Sequence, residues 1–124
     1  MITHIKGKLV EKTPTFVVID VNGVGYHIKI SLQTFSSIKD NTCKLYTHLS
    51  IKEDSHTLFG FFEKSERELF IKLISVSGVG PSTAQIILST YNSQEVIHYI
   101  TSADVNAIKS VKGIGSKTAQ RIIV

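Results

Sequence analysis

The chain has 124 residues, a usual length for one or two compact domains, with an ordinary apolar fraction of 42% and a net charge of +4. Its single cysteine, Cys43, excludes an internal disulfide and favours a reducing compartment. No stretch approaches the ~18 apolar residues of a membrane span, and no long apolar segment follows the N-terminal residues as in a secretory signal, so we expect a cytoplasmic protein with no membrane partner.

The first half of the chain has the pattern of β-strands. Five runs are rich in β-branched and aromatic residues, at 5–10, 16–21, 26–30, 42–51 and 57–62. Asn22-Gly23 predicts a hairpin turn, because both residues tolerate positive φ. Cys43 lies in an alternating run, which predicts a buried structural thiol. The segment 31–38 is compatible with a short helix or a loop. Five strands in so short a segment favour a small closed barrel of the OB type over a two-sheet sandwich.

The pattern becomes helical at Lys64. Ser65 and Glu68 have the spacing of a capping box, and apolar residues at helical spacing follow them. Further helices are predicted after Pro81, at 93–100, at 102–109 and from Ser116 onwards. The fold class is therefore α+β. We predict an OB-like five-stranded barrel at 1–63 and an all-α domain at 64–124.

Two segments of the helical half repeat one phrase thirty-five residues apart. Residues 75–87 are SVSGVGPSTAQII and residues 110–122 are SVKGIGSKTAQRI. In each phrase the first glycine can end a helix at positive φ, and the second lets the backbone approach a ligand closely. The next helix then begins with unpaired N–H groups at the positive end of its dipole, which suits a phosphate oxygen. Such contacts predict binding to a nucleic-acid backbone without base readout.

The charge distribution agrees with this interpretation. Residues 64–124 hold seven Lys or Arg against four Asp or Glu, whereas residues 1–63 hold seven against six. The predicted DNA-binding residues are Gly78, Val79, Gly80, Ser82 and Thr83 in the first turn, and Lys112, Gly113, Ile114, Gly115, Ser116, Lys117 and Thr118 in the second.

Each of these assignments has a structural alternative. A single such turn is equally well explained as a helix connector. Val79 and Ile114 could pack beneath the turns, and Thr83 and Thr118 could cap the following helices. Arg121 is a further candidate contact that could instead pair with an acid.

Enzymatic chemistry has little support. The five histidines show no zinc-site spacing with cysteine, the carboxylates form no two-metal cluster, and no Gly-x-x-x-x-Gly-Lys-Ser/Thr loop is present for ATP hydrolysis. We expect a non-catalytic protein without metal or cofactor.

The alternatives are a glycosylase or nuclease anchored by the turns, an interaction module that does not bind DNA, and a general single-strand or duplex binder. The last would stack bases on barrel aromatics such as Phe16, Tyr26, Phe59 or Phe61.

The repeated phrases resemble helix-hairpin-helix motifs, and their position after an OB-like barrel resembles the RuvA family of Holliday junction-binding proteins. The resemblance covers essentially all 124 residues. The matching residues are Met1-Ile2, Lys6-Gly7, Gly23-Val24-Gly25-Tyr26, Thr47-His48, Glu53-Asp54, Leu58-Phe59-Gly60-Phe61, Glu66-Arg67, Gly78-Val79-Gly80-Pro81, Gly113-Ile114-Gly115, Lys117-Thr118-Ala119 and Arg121.

The resemblance implies a homotetramer that binds four-way DNA junctions, with eight hairpins on the minor-groove side of the backbone. It also implies that the protein holds the junction open while a separate ATP-driven motor, RuvB, carries out branch migration in recombination and repair. Pairing of two tetramers and contact with a junction resolvase are compatible with it. The family continues beyond this length into a linker and a motor-binding third domain, so we expect motor coupling to be absent from these 124 residues.

Four residues are interpreted differently under the resemblance. Glu53-Asp54, otherwise an ordinary polar turn between strands, matches the family's acidic pin, whose carboxylates would repel phosphates at the crossover. Ser82 and Ser116 stand where relatives often carry basic residues. Each lost phosphate contact should flatten the salt dependence of binding by about one unit of log–log slope.

Overall fold

The computed structural model describes residues 1–124, which divide into two compact units, Met1–Arg67 and Glu68–Val124. The first unit contains all the strands, and the second contains most of the helical segments. No helix combines the length and the apolar character needed to cross a membrane.

The strands of the first unit close into a five-stranded barrel, which confirms the predicted fold. The strands are β1 (His4–Lys12), β2 (Phe16–Val21), β3 (Val24–Ile30), β4 (Thr42–Lys52) and β5 (Ser55–Phe61). Their order in the sheet is β1-β2-β3-β5-β4, and the pairing of β1 with β4 closes the sheet. The β3–β5 pair is parallel and the others are antiparallel.

The barrel interior is filled by alternate residues of the strands. Val17, Ile19, Ile28 and Leu45 are fully buried, as the alternating pattern requires of inward-facing positions. Cys43 is also buried, and burial raises the pKa of its thiol.

The candidate stacking aromatics of the barrel are largely inaccessible. Phe59 and Phe61 lie in the core with exposed fractions of 4% and 0%. Phe16 is half-buried and stacks on the ring of His27, with 4.5 Å between the ring centroids. Tyr26 is also only half-buried. These positions therefore do not form an open platform for bases.

Two tight turns link antiparallel strands of the barrel. Asn22 and Gly23 join β2 to β3 with φ of 53° and 92°, the positive values expected of a primed hairpin turn. Lys52 pairs with Ser55 at the end of β4 and the start of β5. Glu53 and Asp54 therefore form the turn between these two strands.

A buried polar cluster joins the segment after β3 to the first turn of the next helix. The segment after β3 is a short helix, α1 (Leu32–Ser37), capped by Ser31. The next helix, α2 (Lys64–Ile74), begins at Lys64, so Ser65 lies within its first turn and the capping box predicted there is wrong. Glu66 is 4% exposed and accepts hydrogen bonds from Ser31 Oγ at 2.8 Å and Thr34 Oγ1 at 2.9 Å.

The ionisation of Glu66 reflects its burial. Desolvation raises the pKa of the Glu66 carboxyl, and the nearby Glu63 carboxylate raises it further. The hydrogen bonds from Ser31 and Thr34 favour the charged form, but the net pKa remains above its ordinary value.

Four shorter helices follow α2, and they are α3 (Pro81–Thr90), α4 (Ser93–Thr101), α5 (Val105–Lys109) and α6 (Ser116–Ile123). Helix α5 is shorter than the predicted 102–109. Ser102 ends α4, Ala103 adopts a left-handed φ of 55°, and Asp104 caps α5 by accepting from the Ala107 N–H at 3.1 Å. The break arises because Ala103 cannot continue a right-handed helix in that conformation.

Candidate nucleic-acid interface

The two repeated phrases fold into turns with the same backbone conformation. Gly78 and Gly113 have φ of 92° and 88°. Gly80 and Gly115, the residues before α3 and α6, have φ and ψ of −90° and 175° and of −89° and 175°. The sequence repeat is therefore also a structural repeat.

The hydrogen bonds within the turns repeat as well. Val79 N donates to Val76 O at 3.0 Å, and Ile114 N donates to Val111 O at 3.1 Å. Both bonds hold the residue between the two glycines against the end of the preceding helix.

The serine that opens each phrase has a role that sequence reasoning missed. Ser75 Oγ donates to Lys72 O at 2.5 Å, and Ser110 Oγ donates to Ala107 O at 2.7 Å. Each hydroxyl thereby adds a donor to a carbonyl at the end of a helix. Lys72 O also accepts from Ser75 N, and Ala107 O also accepts from Tyr91 Oη, each at 3.2 Å. The recurrence of serine at these two positions was the only available signal.

The apolar residue between the glycines points inward in both turns. Val79 and Ile114 are 5% and 6% exposed, and Ala84 and Ala119 of the following helices are fully buried. Of these predicted DNA-binding residues, Val79 and Ile114 can therefore offer a ligand only their backbone, and their side chains stabilise the turns.

The backbone N–H groups that begin α3 and α6 are left open. Gly80 and Gly115 have no side chain to cap these helices, and no side-chain cap is present. The first intrahelical bonds run from Ala84 N to Gly80 O at 3.0 Å and from Ala119 N to Gly115 O at 2.9 Å. The earlier amides belong to Ser82 and Thr83 in α3 and to Ser116, Lys117 and Thr118 in α6. These groups and the positive ends of the helix dipoles can bind an anion.

The positive side chains are distributed unevenly between the turns. No Lys or Arg occurs in 73–108, a range that includes the first turn and all of α3. Lys112, Lys117 and Arg121 are exposed at or after the second turn. The second turn thus has charged side chains for a phosphate, whereas the first has only backbone N–H groups and hydroxyls.

The two turns are brought together within the helical unit. A Cβ atom built on Gly78 would lie 3.4 Å from Arg121 Nη1 and 3.4 Å from Thr118 Oγ1. Helix α6 therefore lies directly against the first turn. A cleft of about 490 Å³ between them is lined by Val76, Ser77, Lys117, Gln120, Arg121 and Val124.

The predicted acidic pin is at the tip of the β4–β5 hairpin in the barrel unit. Glu53 and Asp54 are both exposed, and Ile51 beside them is 62% exposed. Neither carboxylate forms a hydrogen bond or an ion pair with the rest of the chain. The turn is therefore a free acidic tip.

Comparison with protein families matches both units. Residues 1–60 match the model of the RuvA N terminal domain, and residues 70–124 match the model of a SAM-like helix-hairpin-helix tandem.

Individual relatives are similar along the whole chain. The chain is 62% identical to a protein of Christiangramia forsetii and covers 65% of its length. It is 56% identical to a protein of Cytophaga hutchinsonii, covering 63%, and 58% identical to one of Flavobacterium psychrophilum, covering 65%. Each matches all of this chain and is named Holliday junction branch migration complex subunit RuvA. The chain thus spans slightly less than two thirds of the length of these relatives.

Proposed function

This chain belongs to the RuvA family, of which it spans the N-terminal domain and the tandem helix-hairpin-helix domain, and we propose that it binds four-way DNA junctions through their backbone. The observation that carries this proposal is the pair of turns with matching dihedral angles and open helix N-termini. Two anion-binding points fixed in one small unit suit two phosphates of one DNA strand better than a single small anion.

Within the proposed site, the residues have distinct roles. Gly78 and Gly113 make the turns possible, and Gly80 and Gly115 keep the helix N-termini accessible. Lys112 and Lys117 add positive charge at the second turn. The amides of Ser82, Thr83, Ser116 and Thr118 donate to phosphate oxygens, with the hydroxyls as additional donors.

Specificity for a junction requires more than the turns. We propose that four copies assemble around the crossover, so that each arm meets one copy and eight turns bind backbone in all. The exposed tips formed by Glu53 and Asp54 would then face the crossover and repel its phosphates. This arrangement rests on the resemblance to the RuvA family.

In this proposal the chain catalyses no reaction itself. A separate RuvB-type motor supplies ATP hydrolysis and couples through the part of the relatives beyond the matched region. The chain's contribution is to hold the junction in an open form that the motor can act on.

The experiment is a titration of the chain against a fixed four-way junction, with matched linear duplex as competitor, at two salt concentrations. We expect preferential binding to the junction, weakened by salt and abolished in the Gly80→Asp, Gly115→Asp double variant. Equal binding to junction and duplex would reduce the protein to a general duplex binder. Cleavage of either DNA would indicate an enzyme, and no binding at all would overturn the proposal.

A further inference from the structure

The first turn lacks a positive side chain of its own. No Lys or Arg occurs in 73–108, and Ser82 occupies the position just after Pro81 in the first turn of α3. The two turns nevertheless have the same backbone conformation. If each turn used only the side chains of its own motif, the first would bind a phosphate without any charge-assisted side-chain contact.

The fold places a basic residue of the other motif at this turn. Arg121 lies one helical turn after Lys117 on α6. Its Nη1 atom is 3.4 Å from the position that a Cβ on Gly78 would occupy, and Thr118 Oγ1 is at the same distance. The Arg121 side chain is exposed and forms no ion pair with any of residues 1–124. Its guanidinium is therefore available to a ligand.

We propose that Arg121 is the phosphate-binding side chain of the first turn, although it belongs to the second motif. Its planar guanidinium, next to Gly78, can donate two parallel hydrogen bonds to a phosphate held at the first turn. The two motifs then form one composite surface in which α6 serves both turns. This inference rests on the proposed function, because it assumes that the turns bind DNA backbone.

The first test measures how binding of a fixed four-way junction depends on salt. We expect Arg121→Gln to reduce the log–log slope by about one unit, as for the loss of one phosphate contact. Arg121→Lys should restore the slope, since it retains the charge. Lys39→Gln is the matched control, because it removes one exposed positive charge from the barrel unit and should leave the slope unchanged.

The second test locates the contact. Backbone amide resonances of Ser82 and Thr83 in the first turn, and of Ser116 and Lys117 in the second, are followed by NMR during addition of the same junction. In Arg121→Gln, the DNA-induced shifts of the first turn should shrink while those of the second persist. The spectrum without DNA shows whether the variant remains folded.

The outcomes separate the two proposals. Absence of DNA-induced shifts at both turns in the unaltered chain would overturn the proposed function. Two other results would overturn only the role of Arg121. In the first, the unaltered chain shows DNA-induced shifts at both turns and Arg121→Gln leaves them unchanged. In the second, Arg121→Gln loses the shifts of the second turn alone. A slope that falls equally in Arg121→Gln and Lys39→Gln would also reject it, because net charge alone would then account for the effect.

Discussion

Gly80 and Gly115 begin α3 and α6 with the same extended backbone, yet neither position requires glycine. Their φ values of −90° and −89° are accessible to any residue, and a Cβ at either would meet no heavy atom within 4 Å. A serine or aspartate there would cap the helix better. The absence of a side chain leaves each helix N-terminus accessible, which agrees with the proposed binding of a phosphate there.

Replacing either of these glycines by aspartate should weaken DNA binding without lowering the stability of the fold. In Gly80→Asp and in Gly115→Asp, the new carboxylate caps its helix by accepting from the free amides. The free energy of unfolding should stay unchanged or rise by up to about 1 kcal/mol. Junction affinity should fall, because the carboxylate occupies the phosphate position and repels DNA. Thermal unfolding and junction titration measure the two effects.

Alanine at the same positions is the control for size. Gly80→Ala adds a methyl group in open space without a charge or an acceptor, so its effect on affinity should be much smaller than that of aspartate. If aspartate and alanine weakened binding equally, steric hindrance rather than anion binding would explain the glycines.

Gly78 and Gly113 should behave in the opposite way, because the fold itself requires them. Their φ values of 92° and 88° are unfavourable for alanine. Gly78→Ala and Gly113→Ala should each lower the free energy of unfolding by about 1–2 kcal/mol. Gly78→Ala should be slightly the worse, since its methyl group would lie 3.4 Å from Thr118 and Arg121, whereas one on Gly113 would meet nothing within 4 Å. Urea unfolding measures the free energy of unfolding of each variant. If Gly78→Ala and Gly113→Ala lost no more than Gly80→Ala, the prediction would be wrong.

The barrel could be predicted because its strands depend on a local pattern. The alternation around Cys43 and Leu45 marks one buried face, and Asn22-Gly23 marks a turn whose φ values are a property of those residues. By contrast, the pairing of β5 with β3 depends on long-range packing. Gly60 is an example, because a Cβ there would lie 2.5 Å from Ile28 Cγ2, and nothing near it in the sequence indicates that contact.

The repeated phrases allowed the two turns of the candidate site to be predicted, but not the contacts between them. Matching phrases predicted two equivalent turns, and the dihedral angles are indeed equivalent. The position of Arg121 against Gly78 is a relation between the motifs, which no spacing within one motif can predict. The capping box at Ser65 failed because the helix already begins at Lys64. The contacts of Glu66 with Ser31 and Thr34 were equally invisible, since these partners lie more than thirty residues away in the sequence.

Glu66 should make stability depend on pH. Because burial raises its pKa in the folded chain above the ordinary 4.5, folding favours the protonated form. Its contribution is fully present below the unfolded pKa and is lost as pH rises through the folded pKa. The stability of the unaltered chain relative to Glu66→Gln should therefore decline over that window. Denaturant unfolding at a series of pH values measures this, and a constant difference would contradict it.

Removing the Glu66 carboxyl altogether should be more damaging. Glu66→Ala leaves the buried hydroxyls of Ser31 and Thr34 without their acceptor. We expect a loss of about 1–3 kcal/mol in the free energy of unfolding. Glu63→Gln, which changes an exposed neighbouring carboxyl, is the control and should have little effect.

The acidic tip gives the sharpest test of junction specificity. Glu53 and Asp54 are exposed and make no hydrogen bond or ion pair, so Glu53→Gln with Asp54→Asn should not change stability. Junction affinity should stay the same or increase, more at low salt, where charge repulsion is least screened. If the proposed function holds, neutralising the corresponding acidic pair in a full-length RuvA relative assembled with its motor should change the branch-migration rate, because the tips would no longer repel the phosphates of the separating strands.

The control for the acidic tip removes the same charge elsewhere on the barrel. Glu11→Gln with Asp40→Asn neutralises two exposed carboxylates outside the β4–β5 turn. If this pair alters junction affinity and migration rate as much as the tip variant does, the effect follows from net charge alone. An effect confined to the tip, and found with the junction but not with linear duplex, would place these carboxylates at the crossover. Linear DNA has no point at which strands separate, so carboxylates at the crossover should discriminate between the two DNAs.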